Sequence, residues 1–295
     1  MIDREEKAKL LCEAGDLSGL FELYGLKEFE DTLMEQAQPS LLLRLSAAES
    51  GEPAVGCSKM GGLPDLPEGS DWPTTADKIP LAFLCQINLA EIADTSVASS
   101  IGSSGLLSFF YEANEQPWGF EPGTSDKWKV IFTGNNKSLV RLKAPADLPA
   151  GCLFNCLLIG FNERLTFPSY ENPFPGMTWP QNGDYHDMQD AWHGSHWPDH
   201  LLGHPDLLQN DWRLQCALTS HGIYCGDNEA FDALDQATKD AFLAQSKEWR
   251  LLLQLDSFSD SGMEWGLDGL LYFCISEQAL RAKDFDQVWV ILQTT

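Results

Sequence analysis

The chain has 295 residues, and 19 Lys plus Arg stand against 44 Asp plus Glu, a formal charge of −25. Phosphate affinity is built from basic side chains that release counterions, so this balance argues against a nucleic-acid binder and against a polybasic binder of anionic lipid. Hydrophobic residues at 43% are ordinary for a globular protein, so the charge does not signal disorder. Cationic, neutral or metallic partners stay open.

The length admits one large or two ordinary domains. The charged start, Met1 to Lys7, lacks the apolar stretch of a secretory signal, and no run reaches the ~18 apolar residues of a membrane helix. These features predict a cytoplasmic protein that does not enter membranes. The eight cysteines are scattered and form no C-x-x-C, so they read as reduced, buried thiols. Cys152 and Cys156, four apart, come nearest to a metal or redox spacing.

In chain order, residues 4–14 and 16–24 read as helices, with Gly15 and Gly25 as punctuation. Leu26, Phe29, Leu33 and Ala37 continue a helical spacing. After Pro39 the texture changes. Residues 41–45 are apolar and strand-like, and the Gly- and Pro-rich stretch 56–67 is an ordered loop. Strands follow at 81–89, 105–111 and 129–132. Residues 166–212, with six prolines and four tryptophans, read as loop. A helix is expected from 229 to about 247, then strands at 250–256, 269–275 and 288–293.

A repeat runs through this order. Leu84-Cys85-Gln86-Ile87-Asn88 resembles Leu252-Leu253-Gln254-Leu255-Asp256, and Gly105 to Phe110 resembles Gly269 to Cys274. Lys129 to Phe132 pairs loosely with Trp289 to Leu292, and Gly62-Leu63-Pro64-Asp65 echoes Gly203-His204-Pro205-Asp206. The offsets are 168, 164, 160 and 141. The expected fold is therefore α+β, mainly β. An internally duplicated β-rich unit with a pseudo-twofold carries N-terminal helices and a helix before the second-copy strands. The segments are residues 1–40, helical, then 41–150 and 151–295, the two β-rich repeats, with 41–295 as one compact domain.

Several motifs resemble the YwqG-like family, a bacterial domain of unknown function. They are Ser58-Lys59-Met60-Gly61-Gly62-Leu63-Pro64, Gln86-Ile87-Asn88, His200-Leu201-Leu202-Gly203, the block Trp249 to Ser257, Gly266 to Phe273, and the terminal Val288-Trp289. The likeness runs from about residue 40 to the C-terminus. It implies a duplicated, mainly β fold but no reaction. For some relatives it implies an immunity or interaction role beside bacterial toxins. The chain departs from the family pattern at His204, where an aromatic is more usual, so any role of that histidine is its own.

Strand side chains alternate between faces. Gln86 and Asn88 therefore share a face in one copy, and Gln254 and Asp256 share one in the other. Packed about a twofold, these four form a candidate ligand cleft, with Lys59 and Asp268 beside it. The opposing reading has them bond the nearby Gly- and Pro-rich loops. Lys59, a rare cation, has Asp256 or Asp268 as expected partner.

Five of the six histidines, His186, His193, His196, His200 and His204, fall within 19 residues and are interleaved with Asp184, Asp187, Asp190, Asp199 and Asp206. Imidazole with carboxylate suits Zn²⁺, Mn²⁺ or Ni²⁺, so His193, His196, His200, His204 and Asp199 are candidate metal ligands. Trp197-Pro198 interrupts the helix that would align them, and no H-E-x-x-H occurs. Trp179, Trp192, Trp197 and Trp212 offer a carbohydrate platform or pins for the loop. No P-loop, dinucleotide fingerprint or G-x-S-x-G is present.

No Lys or Arg occurs in residues 165–212 or 251–280, which together carry 12 acids. The leading expectation is a non-enzymatic binding protein with no cofactor and a basic protein partner. The alternatives are a metal-dependent hydrolase or metal-binding protein using residues 184–206, and a small-ligand or carbohydrate-binding module.

Overall fold

The computed structural model describes residues 3–48, 52–169, 174–194, 197–257 and 260–295. Three short helices open the chain: α1 (Arg4–Ala14), α2 (Leu17–Leu23) and α3 (Glu30–Gln36). Asp3 and Asp16 cap the first two, accepting from the Glu6 and Gly19 N–H groups at 2.8 and 2.9 Å. Gly15 ends α1 in the left-handed region at φ 69°.

The strands are β1 (Gln38–Ser46), β2 (Lys59–Met60), β3 (Asp65–Pro67), β4 (Ala82–Asn88), β5 (Leu106–Tyr111), β6 (Trp128–Thr133), β7 (Leu139–Arg141), β8 (Leu157–Thr166), β9 (His200–Leu201), β10 (Trp249–Asp256), β11 (Leu270–Ser276) and β12 (Trp289–Gln293). The further helices are α4 (Ala98–Ile101), α5 (Trp179–His193), α6 (Arg213–Thr219), α7 (Glu229–Asp232), α8 (Gln236–Ser246) and α9 (Glu277–Ala282).

Among the described residues ten strands form one antiparallel, nearly closed sheet in the order β12-β11-β10-β9-β1-β8-β2-β4-β5-β6. The small pair β3–β7 lies apart from it. At the centre β1 and β8 run side by side from Gln38↔Thr166 to Ser46↔Leu158. The first strand of the chain thus lies against β9, and β8 lies against β2.

The ends of the sheet approach each other. Trp128 meets Trp289 edge to face at 5.0 Å, and Trp128 Nε1 donates to Val288 O at 2.9 Å. Alternation sends one parity of side chains inward. Met60, Cys85, Ile87, Phe109, Leu201, Leu253, Leu255 and Phe273 are fully buried in one shared apolar core. Phe109 and Phe273 touch across it at 5.2 Å. Burying each such side chain stabilises the fold by roughly 1.5–3 kcal/mol.

The other parity faces outward and must be covered. α1–α3 and α5 build a second apolar cluster there with Leu20, Phe21, Phe167, Tyr185, Met188 and Trp192. Helix α5 is a correction, because residues 166–212 read as loop. Gln181 Oε1 accepts from the Thr178 N–H at 2.9 Å at its start, and Gly194 closes it at φ 74°. The expected 229–247 helix is two, α7 and α8. Asp235 between them caps α8 through Thr238 N–H at 2.9 Å. No described helix is long and apolar enough to cross a membrane.

Candidate functional site

The outward residues of β2, β4, β9 and β10 build two polar clusters. In the first, Lys59 lies opposite Gln86. Gln86 Nε2 donates to Cys57 O and to Asp65 Oδ2, both at 2.8 Å, and its Oε1 accepts the Asp65 N–H at 2.9 Å. Lys59 Nζ reaches Asp65 Oδ2 at 2.8 Å. Arg141 adds Nε to Asp65 Oδ1 at 2.9 Å and Nη1 to Glu52 at 3.1 Å.

Lys59, Asp65 and Gln86 are fully buried. Burial lowers the Lys59 ammonium pKa against the pull of Asp65. It would raise that of Asp65, but Arg141 and Lys59 outweigh it and hold the carboxyl below its usual range.

The second cluster makes the same bonds. Gln254 Nε2 donates to Pro198 O at 3.0 Å and to Asp206 Oδ2 at 2.8 Å, while Oε1 accepts the Asp206 N–H at 2.9 Å. His200 lies opposite Gln254, as Lys59 lies opposite Gln86, with Nε2 3.6 Å from Asp206 Oδ2. Burial pushes the Asp206 carboxyl up, but His200 and Gln254 leave it below its ordinary value.

Backbone matches too. The Asn88 N–H donates to Ser58 Oγ at 2.8 Å, and the Asp256 N–H donates to Asp199 Oδ1 at 2.7 Å. Gly61 N–H bonds Leu84 O, and Leu202 N–H bonds Leu252 O, each at a bulge.

The predicted cleft of Gln86, Asn88, Gln254 and Asp256 is therefore not one place. Strands β8 and β1 lie between β2 and β9, so the glutamines occupy separate clusters and tie down local loops. Asn88 caps the following turn through Ala90 N–H at 3.0 Å and donates to Gly56 O at 2.8 Å. Lys59 pairs with Asp65, not with Asp256 or Asp268. Asp268 sits at φ 48° in the turn before β11.

The histidines are dispersed over several elements. His193 ends α5, buried, and burial lowers its pKa. His200 is on β9. His204 follows it, giving Nε2–H to Gln36 O at 2.7 Å, and burial pushes its pKa down to about 4. His196 lies outside the described residues. Among the described residues no three His, Cys, Asp or Glu side chains form a metal-holding group. Burial pushes the Asp199 carboxyl up to about 7, opposed by the Asp256 N–H.

Trp192 and Trp212 belong to different apolar clusters, and Trp179 is 83% exposed at the start of α5, so the tryptophans form no single platform.

Sequence reasoning missed Ser40. Its Oγ lies 3.0 Å from His200 Nδ1, which completes the residue types of a hydrolytic triad with Asp206. Ser40 and His200 are fully buried, however, and Ser40 Oγ and His200 Nδ1 bond Leu201 O and Leu202 O at 3.2 and 2.9 Å. Ser40 and His200 thus lie below the surface, bonded to the backbone beside them. It also missed Arg141 as the partner of Asp65, because nothing in local spacing joins residues 76 apart. The two aspartates themselves were visible in the Gly-x-Pro-Asp echo.

No curated protein matches the chain. The family described as "Domain of unknown function (DUF1963)" matches residues 58–294, a span that holds Lys59, Asp65, Gln86, Arg141, His200, Asp206 and Gln254 and all strands but β1. The chain belongs to the DUF1963 family, a domain of unknown function.

Proposed function

We propose that this chain is a cytoplasmic, cofactor-free binding protein of the YwqG-like type, without catalytic turnover, which offers its acid to a basic partner protein. One observation carries the reading. The side chains with the richest chemistry, Lys59, Asp65 and Gln86 and then His200, Asp206 and Gln254, are bonded to one another and to loop backbone inside the fold. Most acids of the N-terminal helices and those of α7 and α8, among them Glu6, Glu13, Glu22, Glu229, Asp232 and Asp240, are exposed. Such a surface attracts a cationic partner and speeds its encounter.

The scaffold is two copies of one unit that exchange their opening strands. The equal bonds at offsets 141 and 168, the shared bulge position and the contact between Phe109 and its counterpart Phe273 support this.

Pull-down from native lysate at low salt and again at about 0.5 M salt tests the function, since salt screens exposed charge. A basic protein captured only at low salt, and bound again after purification, is expected. Weaker binding to a Glu229→Lys/Asp232→Lys/Asp240→Lys variant is expected with it. No partner at either ionic strength overturns the proposal. Elemental analysis of untagged protein, purified without a nickel column, should give substoichiometric metal. One zinc or manganese per chain would restore the metal-dependent alternative.

A further inference from the structure

Between α1, Tyr24, the end of α5 and strands β1 and β8 lies a cavity of about 470 Å³, within the size range of small-molecule sites. Ala8, Tyr24 and Trp192 form its apolar wall, and Arg44 and Arg164 line it from the two central strands. The other five arginines each have a carboxylate partner, Arg4 with Asp184 among them. Lys59 and Arg141 hold Asp65, Arg213 holds Asp211, and Arg250 and Arg281 hold Glu277.

Arg44 and Arg164 differ, because among the described residues neither has a carboxylate partner. Arg44 gives Nη2 to the His193 carbonyl at 3.0 Å. Arg164 stacks on the Trp192 ring at 4.9 Å, reaches only Glu163 O at 3.5 Å, and its buried Nε has no hydrogen-bond partner. The acids at the cavity, Glu5 and Glu13, are exposed, and Glu13 faces Lys9 at 4.0 Å.

Two guanidinium groups with no carboxylate partner among the described residues, beside an aromatic wall in a chain of charge −25, fit a ligand that brings its own negative charge. We propose that this cavity binds a small organic anion. Arg44 and Arg164 hold its oxyanion head, and Trp192 and Tyr24 lie against a planar, apolar body. Ala8, Lys9, Cys12 and Tyr24 precede the family-matched residues 58–294, so the site forms where the N-terminal helices meet the family domain. It is separate from the surface proposed for the basic partner and stands without it.

Calorimetric titration of the full chain with benzoate, phenyl phosphate and neutral benzyl alcohol tests the site. At least one anion should bind at least about tenfold tighter than the alcohol, and its chemistry tells carboxylate from phosphate. Arg44→Gln and Arg164→Gln should each weaken it about tenfold, while Lys129→Gln on β6 leaves it unchanged. Cys12 lines the same cavity, with Sγ donating to Ala191 O at 3.2 Å. A bound anion should therefore slow Cys12 alkylation by iodoacetamide in the unaltered protein, read by peptide mass spectrometry, whether or not the arginine variants fold. No anion binding at about 10 mM overturns the site. So does binding indifferent to both arginines, or a Cys12 that stays unprotected. An acidic peptide that binds through the same arginines when none of the free anions does would assign the cavity to a protein and overturn the small-ligand proposal.

Discussion

Lys59 shows how a single residue changes meaning between sequence and structure. As a lone cation in a glycine loop it reads as a ligand contact, yet the fold closes it over Asp65 with no exposure. Removing one member of a buried ion pair leaves a desolvated charge behind, so Lys59→Met should cost about 3 kcal/mol in urea unfolding. Gln86→Leu strands the Asp65 N–H and the Cys57 carbonyl, and Gln254→Leu strands the Asp206 N–H and the Pro198 carbonyl. Each should cost about 2 kcal/mol by the same measurement.

Asp199 makes a pH prediction. Burial raises its pKa to about 7 in the folded chain, against an ordinary carboxylate value of 3.8. Between those values the folded state holds the extra proton, so this residue makes stability fall as pH rises through the window. Asp65 and Asp206 act in the opposite direction. Both are held below their ordinary value, so their contribution is present above it and is lost as pH falls through the folded pKa. Asp199→Asn keeps an acceptor for the Asp256 N–H and should raise stability at pH 8 by about 2 kcal/mol, a figure discounted for partial exposure. At pH 4 it should change little. Equal effects at the two pH values in urea titrations would reject this assignment.

At the scale of elements, the loop after β2 and the loop after β9 turn on glycine. Gly62 has φ 71° and Gly203 has φ 86°. A Cβ at Gly62 would stand 2.9 Å from Cys156 Cβ, and one at Gly203 would stand 2.4 Å from Thr166 Oγ1 and 2.8 Å from Ser40 Cβ. Ala at either site meets both backbone strain and a fixed neighbour, so Gly62→Ala and Gly203→Ala should each cost about 2–4 kcal/mol in thermal or urea unfolding. Strands β1, β4, β5, β6, β10, β11 and β12 were legible because their apolar runs are bounded by Gly, Pro and Asn, whereas β2, β3, β7 and β9, of two or three residues, and the half-polar β8 were not. Helix α5 was not, because its residues mix Asp, His, Gln, Gly and Trp without an apolar stripe, and tertiary burial of Tyr185, Met188 and Trp192 decides it. The break between α7 and α8 was readable in Asp235 followed by Thr238, a cap signal inside an otherwise helical stretch.

At the scale of the whole molecule, strand order carries the consequence. Because β1 is held between β9 and β8, and β8 between β1 and β2, each half contains a strand whose neighbours include the other half. Fragments 1–150 and 151–295 should therefore each lack cooperative unfolding alone and regain it on mixing, followed by circular dichroism and size exclusion. A fragment that folds alone would contradict the exchange. The acidity is also redistributed by the fold. Asp184 pairs with Arg4, and Asp211 with Arg213. The cation-free tract 165–212 is thus partly neutralised from outside itself, and the open acid lies more on the surface helices.

The sequence by itself determined seven strand positions, the mainly β class and the paired Gly-x-Pro-Asp and Gln motifs, because turn residues and alternation are local signals. Only the tertiary structure decided that the two glutamines sit in separate clusters and that Arg141 and Ser40 join them. It also left Arg44 and Arg164 beside one cavity with no carboxylate partner among the described residues. Those facts depend on which strand lies beside which, a choice made by burial of the shared core and by long-range backbone pairing, and no spacing within one segment records it.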